Sequence, residues 1–236
     1  MFRLSEKGEK IQQMFGTIAP RYDFLNRLLS FGIDRRWRTK AVQMIRYQHG
    51  SRILDVATGT GDVALEIARS TPASVKITGA DFCKEMVDLG RDKVALSPYS
   101  DRIDFQVAPC EDLPFADNTF DSITIAFGIR NVVDRRIGLA EMWRVLRPGG
   151  RMIILEFSTP RSQLFRMIYY FYFRKLLPMI GGLFSRYNAY QYLPDSVLEF
   201  PSPEEFSRLM TGVGFRHIQV HELTFGIASI YVGEKE

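Results

Sequence analysis

Leu54-Asp55-Val56-Ala57-Thr58-Gly59-Thr60-Gly61-Asp62 is the stretch on which the fold turns. Arg52–Ala57 is a short apolar run, and 63–70 (VALEIARS) spaces its apolar residues as a helix does. Between them Gly59 and Gly61 make a strand-to-helix turn, where a missing Cβ lets backbone approach a ligand. The helix that follows offers free N–H groups at its start. Gly59-x-Gly61-x-x-Ala64 also fits the dinucleotide-binding pattern, so the glycines alone leave the ligand open. Asp55 separates the two readings. A pyrophosphate would be repelled by a carboxylate at the end of that strand. A cation would gain about 4 kcal/mol at ~4 Å in a surface-like dielectric, before desolvation. S-adenosylmethionine, which carries a sulfonium and an ammonium, meets that description. Asp81 stands twenty residues after Gly61, at the end of the next strand, where a carboxylate accepts both ribose hydroxyls. The plainer reading is a structural turn with a strand-end Asp that merely caps it.

The same rhythm continues along the chain. Val75–Asp81, Arg102–Ala108, Phe120–Gly128 and Arg151–Ser158 read as further strands. Helices are expected over Lys84–Leu96 and after an N-cap at Asp134, the latter stopped by Pro148-Gly149-Gly150. Such alternation predicts right-handed βαβ units and a parallel sheet. His217–Leu223 and Ile227–Glu234 differ, because only Thr224-Phe225-Gly226 separates them. A parallel crossover needs about a dozen residues or more, so these two pair as an antiparallel hairpin. Residues 1–50 look helical, with a turn near Gly32. The expected fold is α/β: a Rossmann-like, seven-stranded, mostly parallel sheet ending in that hairpin, with helices on both faces. It carries an N-terminal helical cap and a helical insertion after the fifth strand. One domain is expected over 1–236, divided into a cap (1–50), a cofactor-binding core (51–160), an aromatic and basic lid insertion (161–200) and a C-terminal helix and hairpin (201–236).

A length of 236 residues suits one α/β domain with an insertion. Apolar residues at 46% and charged residues at 25% argue against extensive disorder. The N-terminal MFRLSEKGEKIQQMF is charged through its first ten residues, unlike a secretory signal. No 18-residue window is free of charge, which argues against a spanning helix. Cys83 and Cys110 are too few for a disulfide scaffold and fit a reducing, cytoplasmic setting, in packing roles. The net charge of +4 is localised. Residues 161–194 hold five basic side chains and no acidic one, whereas the rest of the chain holds 26 basic and 27 acidic. A nucleic-acid binder distributes its charge differently, so no nucleic acid is expected. His49, His217 and His221 lack metal-ligand spacing, and no metal is expected; His217 and His221 read as solvent-facing strand residues.

The chain resembles the class I S-adenosylmethionine-dependent methyltransferases, and more narrowly the C-methyltransferase family of ubiquinone and menaquinone biosynthesis. The stretches that carry the resemblance are LDVATGTGD (54–62), GAD (79–81), EDLPFADNTFD (111–121), FGIRNV (127–132) and VLRPGGRMIILEFSTP (145–160). FGTIAPRYDFLNRLLSFGIDRRWR (15–38) and LTFGIASIYVGEK (223–235) extend it to both ends. FGIRN and YDFLN are its most specific parts. The resemblance implies that S-adenosylmethionine binds and leaves as S-adenosylhomocysteine. It implies a site made of Asp55, Ala57, Thr58, Gly59, Thr60 and Gly61 in the first turn, with Asp81, Phe82 and Met86 after the second strand. Cys110 and Glu111 follow the third strand, and Ala126 and Phe127 end the fourth. Pro109 stands at a position often polar in such enzymes and cannot donate a hydrogen bond, which leaves the adenine to Cys110 and Glu111. Ala126 lacks the hydroxyl of some relatives.

The implied reaction moves a methyl group from the sulfonium to a ring carbon of a reduced, demethylated isoprenoid quinone. The substrate is a demethylmenaquinol or the benzoquinol of the ubiquinol pathway. Loss of a phenolic proton makes the neighbouring carbon nucleophilic, and good positioning is worth roughly 7–11 kcal/mol. Arg130 and Asn131 follow the fourth strand, at the edge where ligands bind such sheets. Arg130 stays protonated and would steady the phenolate or hold a water that Asn131 orients. Tyr22, beside Asp23, would close over the ring. A loop cap and a packed helix are the simpler roles for these residues, and Glu156 is either a weaker base or half of a salt bridge. Leu164–Phe184 is almost wholly apolar around Arg166, Tyr170 and Arg174. It reads as a hydrophobic lid over the isoprenoid hydroquinone or as a core helix. The five basic side chains of 161–194 would make a peripheral contact with the inner face of the membrane. A homodimer is left open. Three other classes compete: a nicotinamide-dependent oxidoreductase, a methyltransferase on another lipid or small molecule, and a membrane-associated binding module without activity. The Asn-Pro-Pro-aromatic clamp of base methylation is missing, since Gly128-Ile129-Arg130-Asn131 stands in its place.

Overall fold

The computed structural model describes residues 5–160, 162–163, 165–167 and 188–236. Three helices, α1 (Glu6–Ile18), α2 (Tyr22–Leu29) and α3 (Ile33–Val42), precede the sheet. The core follows as β1 (Arg52–Val56), α4 (Asp62–Ser70), β2 (Lys76–Asp81), α5 (Lys84–Ala95), β3 (Ile103–Val107), β4 (Phe120–Ala126), α6 (Arg135–Val145) and β5 (Leu146–Phe157). Then come α7 (Asn188–Leu198), α8 (Pro203–Val213), β6 (Arg216–Leu223) and β7 (Ala228–Glu234). The strands lie in the order β3-β2-β1-β4-β5-β7-β6. β1 to β5 run parallel, and β7 is antiparallel to both β5 and β6.

β1 shows why the sheet has two cores. Successive side chains of a strand point to opposite faces, and Ile53 and Leu54 are both fully buried. Ile53 joins Trp37 and Ala41 of α3 and Ile67 of α4 on one face. Leu54 joins Leu139 and Met142 of α6 and Phe206 and Met210 of α8 on the other. Helix ends follow the capping chemistry. Asp134 accepts hydrogen bonds from the N–H groups of Arg136 and Ile137, as its place before α6 predicts. Ser202 and Glu205 form a reciprocal capping box on α8.

Two details differ from the sequence expectation. β5 begins at Leu146, directly after α6, rather than after Pro148-Gly149-Gly150. Its register against β4 jumps from Phe120–Leu146 to Ser122–Arg151, so the three residues form an irregularity within the strand. Gly149 has φ +76°, and its N–H donates to the Lys235 carbonyl at 2.6 Å, tying this bend to the end of β7. In the hairpin, a register shift between Arg216 and Gln219 accompanies φ +51° at His217, so His217 and His221 do not share a regular strand face. Both are exposed, and the His217 ring meets Glu236 at 3.0 Å. The expected lid helix over Leu164–Phe184 lies largely outside the described residues. Among the described residues, no helix is long and apolar enough to cross a membrane.

The strand order reverses direction between β1 and β4. Open parallel sheets bind ligands in the crevice beyond the carboxyl ends of strands at such a point. The site is built there.

Candidate active site

The turn after β1 is held by backbone geometry that side chains resist. Gly61 has φ +80°, and a Cβ there would come within 2.9 Å of the Phe105 ring. Ala57 and Phe127, at the carboxyl ends of β1 and β4, have φ +50° and +56°, a costly conformation for residues with a Cβ. Both line the crevice. Gly128 lets these two strand ends meet, since a Cβ at 128 would lie 2.4 Å from that of Ala57.

Two carboxylates sit under this turn. Asp81 accepts from the Gly59 N–H at 2.8 Å through one oxygen and from the Cys83 N–H at 2.9 Å through the other. Each oxygen keeps lone-pair capacity for a further donor, and Asp81 lines the crevice. Burial raises its carboxyl to about 6. Asp55 lies deeper, accepting from the hydroxyls of Thr58 at 2.6 Å and Thr124 at 2.7 Å. Burial raises it to about 6 as well, and it does not line the crevice. Thr58, Thr60, Gly61 and Arg130 are likewise absent from the walls. The Thr60 hydroxyl donates to Asp23 of α2 at 2.6 Å and accepts from Lys93 of α5 at 2.9 Å. Lys93 also pairs with Asp23 and, at 2.8 Å, with Asp62. Arg38 joins from α3 with Asp62 at 2.7 Å. Burial would raise the Asp62 carboxyl, but Arg38 and Lys93 outweigh it and hold it below its usual range. This network fastens the cap to the glycine turn.

The crevice is open at its mouth and spans about 690 Å³ with that open space included. Ala57, Gly59, Asp81, Phe82, Met86, Cys110, Glu111, Ala126 and Phe127, named from the sequence, all line it, as do Tyr22 and Asn131. The cap roofs it. Gln12 donates to the Phe82 carbonyl at 2.6 Å, and the Phe15 and Tyr22 rings meet edge to face at 6.0 Å. Burial raises the Tyr22 phenol above its usual value. Gly8, Phe15, Ala108, Gly128, Val132 and Val133 also line the walls and were not singled out. Phe15, Gly128 and Val132 lie within the quoted FGTIAPRYD and FGIRNV stretches, which was their one signal. Burial pushes the Cys83 thiol up to about 12 and the Cys110 thiol well up, which suits packing rather than nucleophilic roles.

Arg130 is buried and turned into the protein. Its Nη1 donates to Glu156 at 2.8 Å and to the Phe127 carbonyl. Glu156 is fully buried and also accepts from the backbone N–H groups of Arg130 and Phe157. The salt-bridge alternative for Glu156 is therefore the arrangement observed. Asn131, next along the chain, faces the crevice, and its Oδ1 accepts from the hydroxyl of Tyr192 on α7 at 2.9 Å. Sequence reading placed Tyr192 only in the aromatic segment, because its partner is 61 residues away.

A sheet in this order with β7 alone reversed, and a carboxylate-floored crevice at its switch point, define the methyltransferase type of α/β fold. A [4+2]-cyclase of known structure, SpnF, shares that fold with a TM-score of 0.73 at 17% identity, over 97% of this chain and 96% of its own. The chain belongs to the ubiE/COQ5 methyltransferase family, whose model matches residues 3–235. It is 70% identical over the full length of both chains to a protein of Geotalea daltonii named ubiquinone/menaquinone biosynthesis C-methyltransferase UbiE. It is 49% identical to the demethylmenaquinone methyltransferase of Deinococcus radiodurans, over 98% of this chain and 94% of that one.

Proposed function

We propose that the protein transfers a methyl group from S-adenosylmethionine to a ring carbon of a reduced, demethylated isoprenoid quinone. The observation that carries this reading is the capped crevice with Asp81 on its floor, in a chain that matches the quinone-biosynthesis C-methyltransferases end to end. The walls fit the cofactor. Asp81 has acceptor capacity for ribose hydroxyls, Ala108 and Cys110 offer a slot for a flat base, and Gly59 brings backbone close without a side chain in the way. Bound there, S-adenosylmethionine supplies an electrophilic methyl. Asp55, one layer below, adds negative potential for a cationic ligand. Asn131 and Tyr22 face the space left for the aryl ring, and Arg130 holds the turn that presents Asn131. The cap and Phe127 exclude water from the reacting atoms. Each buried CH₂ of an isoprenoid tail is worth about 0.8 kcal/mol, so such a substrate stays in a bilayer. The basic, aromatic residues 161–194 are the segment proposed to bring the enzyme to it.

The test is turnover in detergent on a demethylmenaquinol and a demethylated benzoquinol, with product mass as readout and the oxidised quinones as controls. A gain of one methyl on a reduced ring and none on its oxidised form is the expected result. Methylation of neither ring, with cofactor bound by calorimetry, would overturn the substrate assignment.

A further inference from the structure

We propose that Tyr192 is a positioning residue of this site. Its phenol holds the Asn131 amide with the nitrogen turned to the crevice, so that the aryl oxygen received there is favoured in its ionised form. The proposal rests on the aryl-substrate reading above.

The orientation of the amide follows from its two partners. Asn131 Oδ1 lies 2.9 Å from the Tyr192 hydroxyl, and Nδ2 lies 3.4 Å from the Phe127 carbonyl oxygen. Flipping the amide would bring two acceptor oxygens face to face at that carbonyl, with no proton between them. In the observed orientation Tyr192 donates and Asn131 accepts. Burial raises the Tyr192 phenol, with Arg130 and Arg135 opposing, so the hydroxyl keeps its proton at neutral pH. An amide nitrogen carries two protons. The Phe127 carbonyl takes one, in a long bond, and shares itself with Arg130. The other has no partner among the described residues, and Asn131 borders the crevice beside Tyr22, Phe127 and Gly128.

An N–H donor favours an anionic oxygen over a neutral hydroxyl, because charge-assisted hydrogen bonds are roughly twice as strong as neutral ones. Arg130 is poorly placed for that task, since it does not line the crevice and its Nη1 is held by Glu156 and the Phe127 carbonyl. The chain of bonds runs from α7 through Tyr192 to Asn131. It places control of the substrate's ionisation on a helix outside the cofactor-binding strands.

The test reads ionisation directly and needs no turnover. 1-Naphthol is titrated by absorbance on the full-length protein saturated with S-adenosylhomocysteine. Bound naphthol should ionise at lower pH than free naphthol. Tyr192→Phe should raise the bound midpoint by about half a pH unit or more. It should leave S-adenosylhomocysteine affinity within about twofold, and its effect should vanish in an Asn131→Ala background. In turnover, Tyr192→Phe should lower kcat about fivefold with little change in KM, and move the acidic limb of the pH profile upward. An unmoved midpoint, additive effects of the two substitutions, or no naphthol bound by the wild-type protein would each overturn the proposal. A lower melting temperature with an unmoved midpoint marks a merely structural contact and overturns it too. If Tyr192→Phe folds poorly, Asn131→Ala alone must raise the midpoint, and failure to do so overturns it. A midpoint that depends on Tyr192 in a protein that methylates no reduced quinone would retire the quinone assignment and keep this one.

Discussion

Asp55 and Asp81 are raised to about 6 in the fold, from an ordinary value near 3.8. Between those values the folded chain holds protons that the unfolded chain has released. Their contribution to stability is therefore present at low pH and lost as pH rises through about 6. A cationic ligand that also donates ribose hydroxyls works in the opposite direction, because it favours both carboxylates. S-adenosylmethionine affinity should rise about 5–10-fold between about pH 5 and about pH 7, with protons released on binding near pH 5.5. Calorimetry in buffers of different ionisation enthalpy measures both; an affinity flat across that range would remove these carboxylates from binding.

Between elements, the ends of β1, β4 and β5 are locked by contacts no single strand contains. Arg130, in the turn after β4, pairs with Glu156 at the end of β5. Removing one partner of a buried pair typically costs about 3–5 kcal/mol, because the other charge stays buried. Arg130→Ala should therefore lose about that much stability in urea unfolding, and Arg130→Met with Glu156→Gln should recover most of it. An activity loss in Arg130→Ala reports this disruption before it reports chemistry. The β1–β4 contact is equally tight at Gly128. Gly128→Ala must push Ala57 aside, at an expected cost of about 1–3 kcal/mol, with cofactor affinity lowered about tenfold or more. Urea unfolding and calorimetry on that one variant check both numbers; normal affinity would show that the crevice tolerates the shift.

Across the whole molecule, the cap and the sheet divide the work. The two large cores lie on the faces of the sheet, whereas α1 buries only Gly8 and Ile11. Yet α1 and α2 roof the crevice; Gln12 ties α1 to the Phe82 carbonyl, and the Asp23–Thr60–Lys93–Asp62 network fastens α2 to the glycine turn. A chain lacking residues 1–18 should melt only a few degrees lower and bind S-adenosylmethionine about tenfold or more weakly. A large fall in melting temperature would instead make α1 part of the core.

The succession of strands and helices, the antiparallel hairpin, the glycine turn, the strand-end position of Asp81 and the Asp134 cap were legible because each is written in a few neighbouring residues, whereas the order of the strands across the sheet was not. Apolar periodicity, a glycine pair, a cap residue and a three-residue connection are local signals. Pro148-Gly149-Gly150 reads locally as the stop of a helix, whereas β5 runs through it with a register jump against β4 and a tie from Gly149 to Lys235, neither of which is local. The protein's family could likewise be read from contiguous stretches such as LDVATGTGD and FGIRNV. The tertiary structure decided which candidates face the crevice. Asp55 and Arg130 sit one or two residues from lining positions, yet the pleat and the turn after β4 send them into the interior. Tyr192, Lys93 and Glu156 acquire their roles from partners tens of residues away. A side chain's charge and hydrogen-bonding capacity are set by its identity, but where they act depends on which distant groups the fold brings within about 3 Å.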